Sequence, residues 1–225
     1  MAQAKTAKSR SKKTETSNRE KIISAYKEKV LLEGHAPHTV FQFMHALKMK
    51  ESDFYTYFGS FKALDRAIWS DYFRITVDTL RQDEAYMTFS SREKLLSFYF
   101  TLMEVLKNDR SFVMSTLELP SKSEITPSVL RGFREEFLDF VQEIINEGRE
   151  TEEIKDRRYL SDRYKDGIWV QTMFILHFWM NDESEGFVKT DAAIEKAVNL
   201  SYELMGAGPL DKLFDFAKFL YQNRP

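Results

Sequence analysis

Helix-breaking residues are rare in this chain, and most of them stand at the ends of segments with helical apolar periodicity. There are 8 glycines and 5 prolines in 225 residues. Ser17 and Glu20 have capping-box spacing, and Gly34 suits the left-handed position after a helix. Between them Ile22, Ile23, Tyr26 and Val30 recur on one helical face. Pro37 ends a short turn, and Thr39 to Leu47 gives a second helix with Val40, Phe43, Met44 and Leu47 inward. Glu51 to Phe58 is a short third helix. Gly59 breaks it, and Ser60 caps a fourth helix running to Leu80. Three short helices joined by tight turns describe a helix-turn-helix.

The same punctuation continues. Ser90 and Glu93 form a capping box before a helix to Leu106, and Arg110 to Leu119 stops at Pro120. Thr126 and Pro127 start a helix that runs to Glu147 and closes at Gly148. Tyr159 to Met180 is the most aromatic helix, Thr190 caps Asp191 to Met205, and Pro209 to Tyr221 is a last amphipathic one. No strand pattern competes, so the predicted class is all-α. The three parts are a tail over 1–16, a helix-turn-helix head over 17–64 and a larger helical domain over 65–225.

Charge and composition narrow the function. With no cysteine, disulfides, thiolate metal sites and cysteine nucleophiles are excluded. The formal net charge is -2, so affinity for nucleic acid must come from a local patch. Lys5, Lys8, Arg10, Lys12 and Lys13 make the start of the chain basic and acid-free. It reads as a disordered tail, which either lies along DNA or only solubilises. It lacks the apolar stretch of a secretory signal, and no apolar run is long enough to span a bilayer. The expectation is a cytoplasmic protein without membrane partners. The four histidines show no metal spacing, and no catalytic constellation or cofactor motif stands out. The expectation is therefore a non-enzyme with no metal and no cofactor. His177, inside an apolar run, reads as a core or interface group.

Residues 21–64 resemble, without a gap, the DNA-binding head of the TetR family of transcriptional regulators. The resemblance rests on Ile22-Ile23-Ser24-Ala25, Gly34, His38-Thr39-Val40, Phe54-Tyr55-Thr56-Tyr57-Phe58 and Ser60-Phe61-Lys62-Ala63-Leu64. It implies a TetR-like fold, with the head followed by a helical domain for dimerisation and ligand sensing. It also implies a ligand-responsive regulator, a repressor, acting as a homodimer on a double-stranded DNA operator. The chain departs from the pattern at Tyr26 and Met44, where small residues are usual. Lys48 replaces the turn glycine, and Phe61 replaces a basic residue, with Lys62 displaced by one.

The DNA-contacting candidates are Thr39, Lys48, Lys50, Ser52, Thr56, Tyr57 and Lys62. Thr39 serves as helix cap and phosphate contact together, the lysines neutralise phosphates, and Tyr57 resembles the family's phosphate-contacting tyrosine. Tyr55 and Phe58 read as core. Glu51 and Asp53 either favour the dipole of their helix or accept from cytosine. An effector pocket for an apolar or aromatic small molecule is assigned to Phe98, Met103, Phe133, Phe137, Trp169, Met173 and Phe174. The alternative is a TetR-like protein that has lost DNA binding and binds a lipid or another apolar small molecule. The acidic residues in the recognition segment favour this alternative.

Overall fold

At Thr39, Ser60 and Ser90, where the sequence places caps, helices begin, whereas Ser17 lies inside the first helix. The computed structural model describes residues 2–117, 126–157 and 160–206, with 208, 219 and 222 besides; for 2–17 it describes the backbone alone. Among the described residues there are nine α-helices and no strand. They are α1 (Ala2–Glu33), α2 (Val40–Ala46), α3 (Glu51–Tyr55), α4 (Phe61–Arg81), α5 (Ser91–Lys107), α6 (Arg110–Thr116), α7 (Arg131–Glu150), α8 (Tyr164–Met180) and α9 (Val188–Met205). The Thr39 hydroxyl accepts from the amide of Gln42 at 3.2 Å, and that of Ser60 from Ala63 at 3.2 Å. Ser90 and Glu93 cap α5 reciprocally, amide to hydroxyl at 3.3 Å and amide to carboxylate at 2.8 Å. Each bond satisfies a donor that the first helical turn leaves unpaired. Gly34 adopts φ 75° and donates to the Val30 carbonyl at 2.8 Å, as a residue closing a helix should.

Several boundaries differ from the expected ones. Helix α1 begins at Ala2, so its backbone runs as helix through the stretch read as a disordered tail. That stretch lacks an apolar face but is rich in Ala and Lys, and it holds no Gly or Pro to break a helix. Gly148 does not close α7 but lies inside it. A Cβ there would come within 2.6 Å of the Ser91 hydroxyl and 2.8 Å of Ile154, so the glycine serves close helix approach. Thr190 sits within α9 rather than before it. The cap is Asp182, whose carboxylate accepts from the Thr190 amide (2.9 Å) and hydroxyl (2.7 Å) and from the Ser184 amide (2.9 Å). Burial pushes the Asp182 carboxyl up, but these bonds outweigh it and hold the group well below the usual carboxylate range. The helix expected from Tyr159 begins as α8 at Tyr164 and that expected to Leu119 ends as α6 at Thr116, while Pro120 and the helix Pro209 to Tyr221 lie outside the described residues.

The head closes on Ile22, Tyr26, Val30, Phe43, Met44, Phe54, Phe58 and Leu64, all buried. Two departures from the family pattern meet there. The Phe61 ring lies parallel to Tyr26 with centroids 5.5 Å apart, and contacts Phe43 at 5.7 Å and Phe54 at 5.3 Å. A larger residue on α1 and an aromatic one on α4 thus fill one space together.

Helix α4 belongs to both parts. Beyond Leu64 it packs on α5 and α7; α5 also touches α9, α7 packs on α8, and α8 on α9. The head is tied to the body a second time through α1 and α6. Tyr26 meets Phe112 edge-on at 6.2 Å, and the Lys27 amine pairs with Asp109 at 2.6 Å. The Tyr72 hydroxyl donates to the same carboxylate at 2.9 Å.

Candidate nucleic-acid interface and effector site

The α2–α3 segment presents the expected polar residues. Thr39, Lys48, Lys50, Ser52, Thr56 and Lys62 are exposed, while Tyr57 is half-buried beside the Phe58 ring, centroids 6.2 Å apart. Ser52 and Thr56 lie one turn apart, and the Thr56 hydroxyl donates to the Ser52 carbonyl at 3.2 Å. Lys48 sits between α2 and α3 at φ 55°. This is the left-handed region that glycine enters freely and a lysine does not, so the turn keeps its geometry although the glycine is gone.

The two acidic residues are engaged inside the head. The Asp53 carboxylate accepts from the Lys50 amide at 3.1 Å and so caps α3. The Glu51 carboxylate accepts from the Tyr55 hydroxyl at 3.2 Å. For Asp53 this is the helix-end role, whereas Glu51 bonds one turn along its own helix. Tyr55 corrects the expectation of a core ring, because it is 53% exposed. Phe54 and Phe58 are four apart and turn inward together, which leaves Tyr55 about 100° away on the helix.

Phe41, 60% exposed on α2 and stacked on His45 at 5.9 Å, was not singled out by the sequence. Its signal is its position off the inward stripe of Val40, Phe43, Met44 and Leu47. Together Phe41 and Tyr55 add two exposed rings to the polar set.

In the body the expected effector residues divide. Phe98, Phe133, Phe137 and Trp169 form one packed cluster with centroids 5.3 Å (Phe98–Phe137), 6.0 Å (Phe133–Phe137) and 5.8 Å (Phe137–Trp169) apart. The Trp169 indole N–H donates to the Thr126 hydroxyl at 2.9 Å. Met103 and Met173 are also buried. Phe174 is 49% exposed and turns away from the ring cluster, into an apolar groove between α8 and α9. That groove has a volume of about 740 Å³, and Val170, Leu200 and Leu204 line it with Phe174. These side chains recur at helical spacing on both helices, so each carries an outward apolar stripe. His177 is exposed on α8, so it is not a core group.

Among the described residues no group of three or more His, Asp or Glu side chains is placed to hold a metal ion. His35 and His38, whose rings are 5.0 Å apart, make a pair only. No described helix is long and apolar enough to cross a membrane. Residues 94–220, more than half of the chain, match a family described as tetracyclin repressor-like, C-terminal domain. No curated protein matches the chain.

Proposed function

The chain belongs to the tetracyclin repressor-like family through that C-terminal domain, and on this premise we propose a ligand-responsive, DNA-binding transcriptional regulator. We read it as a repressor that works as a homodimer in the cytoplasm. The observation that carries DNA binding is the head itself. A capped α2, a four-residue turn and a short α3 leave Lys48, Lys50, Ser52, Thr56 and Lys62 exposed, with Thr39 at a helix start. Two such heads, held about 34 Å apart, would enter successive major grooves.

The dimer reading is supported by Val170, Phe174, Leu200 and Leu204, which are 54%, 49%, 56% and 40% exposed. Two copies of the α8–α9 hairpin would close a four-helix bundle over these side chains. The effector reading is supported by the ring cluster on α5, α7 and α8, where an apolar or aromatic molecule would part Phe98, Phe133, Phe137 and Trp169. A ligand that prefers one spacing of the heads shifts the population off DNA.

The test is fluorescence anisotropy of the intact chain against genomic DNA fragments at about 50 mM salt, where phosphate contacts dominate. Binding that falls steeply with added salt is the expected result. Glu51 and Asp53 place two negative charges beside Lys48 and Lys50, and this favours a second reading, an apolar-ligand carrier that no longer binds DNA. If no fragment binds with or without ligand, that reading replaces the first.

A further inference from the structure

We propose that the cleft between α4 and the start of α7 binds a small molecule through a phosphate or carboxylate group. The cleft has a volume of about 370 Å³, and Arg66, Ser70, Arg74, Arg131, Gly132 and Glu135 line it. Three arginines from two helices distant in sequence therefore line one space. Neither Arg66 nor Arg131 has an ion-pair partner among the described residues. Arg74 is held in place by the Glu136 carboxylate, at 2.9 Å from Nε and 2.7 Å from Nη2. Its position is thus set before any ligand arrives, while the other two retain all their donors.

The independent observation is Ser70. It is 7% exposed, and its hydroxyl has no hydrogen-bond partner among the described residues. A hydroxyl inside a helix ordinarily donates to the carbonyl one turn back, as Thr76 does to Tyr72 at 2.8 Å. Ser70 also lines the cleft, so its free hydroxyl offers a donor and an acceptor beside the arginines. Gly132 keeps the place open: a Cβ there would sit 2.6 Å from the Ser70 hydroxyl oxygen. Any other residue would push against that hydroxyl. Glu135 limits the occupant, since a single anionic group is accommodated while a chain of phosphates meets a like charge.

None of the ring-cluster residues lines this cleft, so the anion would be a second input beside the apolar effector. An occupant would fasten α4, which starts in the head, to α7. That regulatory meaning rests on the DNA-binding reading, whereas the existence of the site does not.

The test is amide NMR of the full chain titrated with inorganic phosphate and, separately, acetate, with sodium chloride as the ionic-strength control. Saturable shifts of the Ser70 and Gly132 amides at millimolar phosphate or acetate are expected. Affinity should fall at least about tenfold in Arg66→Gln/Arg131→Gln and about threefold in Ser70→Ala, as expected for lost charge-assisted bonds. Melting curves without phosphate check that the variants stay folded, and Arg66→Lys/Arg131→Lys, which keeps the charge but not the fork, serves if they do not. Shifts that chloride reproduces, or that survive the double substitution, overturn the proposal. So do shifts produced by duplex DNA that phosphate does not compete away, because the arginines are then a DNA-backbone contact. The phosphate and acetate titrations themselves contain no DNA, so they read the site even if the chain binds none.

Discussion

In the head, α2 and α3 are 7 and 5 residues long and bury Phe43, Met44 and Phe54 against α1 and α4. In the body, α5, α7 and α8 are 17 to 20 residues long and bury rings from three helices against one another. Helices as short as α2 and α3 are unstable alone, so the head depends on its caps and on its two attachments to the body. The body carries its own core. The difference assigns the stability of the molecule to the body and leaves the head free to open first.

The largest effect tests that assignment directly. All 3 tryptophans, Trp69, Trp169 and Trp179, lie on α4 and α8, so their fluorescence reports the body while far-ultraviolet dichroism reports every helix. Phe137→Ala removes a fully buried ring from the cluster and should cost about 3–5 kcal/mol. Both signals should then fall together at lower urea. Phe54→Ala should instead lower the dichroism before the tryptophan signal moves. Coincident transitions in the Phe54 variant would break the comparison, because head and body would then unfold as one.

A second substitution asks whether the outer face of the body is finished. Phe174→Asp places a charge in the α8–α9 groove and should weaken self-association about a hundredfold, read by sedimentation at micromolar concentration. If the parent chain is already a monomer there, the exposed stripe is not a dimer face.

The joint between the two regions comes next in size. Asp109 accepts from both Lys27 and Tyr72, and the Lys27 amine stands 4.8 Å from the centre of the Tyr72 ring. Asp109→Ala leaves two part-buried donors unpaired and should cost about 1–3 kcal/mol. The loss should appear in the early dichroism phase if the joint serves the head, and in both phases if it serves the body.

How much of this was legible along the chain differs between the same two regions. In the head the end of α1 and the starts of α2 and α4 could be read almost to the residue, because Thr39, Gly34 and Ser60 act on amides or carbonyls a few positions away, whereas the start of α1 could not. In the body one residue type carries two meanings. Gly148 reads as a helix stop, but it is a point of contact with Ser91 and Ile154, partners that its own neighbourhood does not reveal. Met173 and Phe174 are adjacent and equally apolar, yet one is buried and the other faces the groove. Which of them faces a core depends on where α7 and α9 lie. The arginines of the α4–α7 cleft meet only through helix crossing, so no local spacing could have paired Arg66 with Arg131.

A smaller effect turns on pH. Burial raises the Asp65 carboxyl above its ordinary value, while the nearby Tyr26 hydroxyl works the other way. A carboxyl whose native value is raised binds its proton more tightly folded than unfolded. Stability therefore falls as pH rises through the carboxylate range. Asp65→Asn keeps the size of the side chain and removes the charge, so it should raise the melting temperature at neutral pH. The gain should vanish in acid, where Asp65 is protonated in both states. A gain that persists in acid would point to packing instead of charge.

The smallest expected change is at Lys48, where one variant reads both the stability of the head and its charge. At φ 55° a lysine is strained and a glycine is not, so Lys48→Gly should stabilise the head by about 0.5–1 kcal/mol. The early dichroism phase should move to higher urea while the tryptophan phase stays in place. The same substitution removes a positive charge from the turn that precedes α3. If Lys48 contacts a phosphate, the slope of log affinity against log salt should flatten by about 0.9. Lys48→Asn separates the two effects, since asparagine tolerates the left-handed region yet carries no charge. It should share the flatter slope with only part of the added stability. Stabilisation with an unchanged slope would show that the lysine touches no phosphate, and the strain at this turn would then have no counterpart in binding.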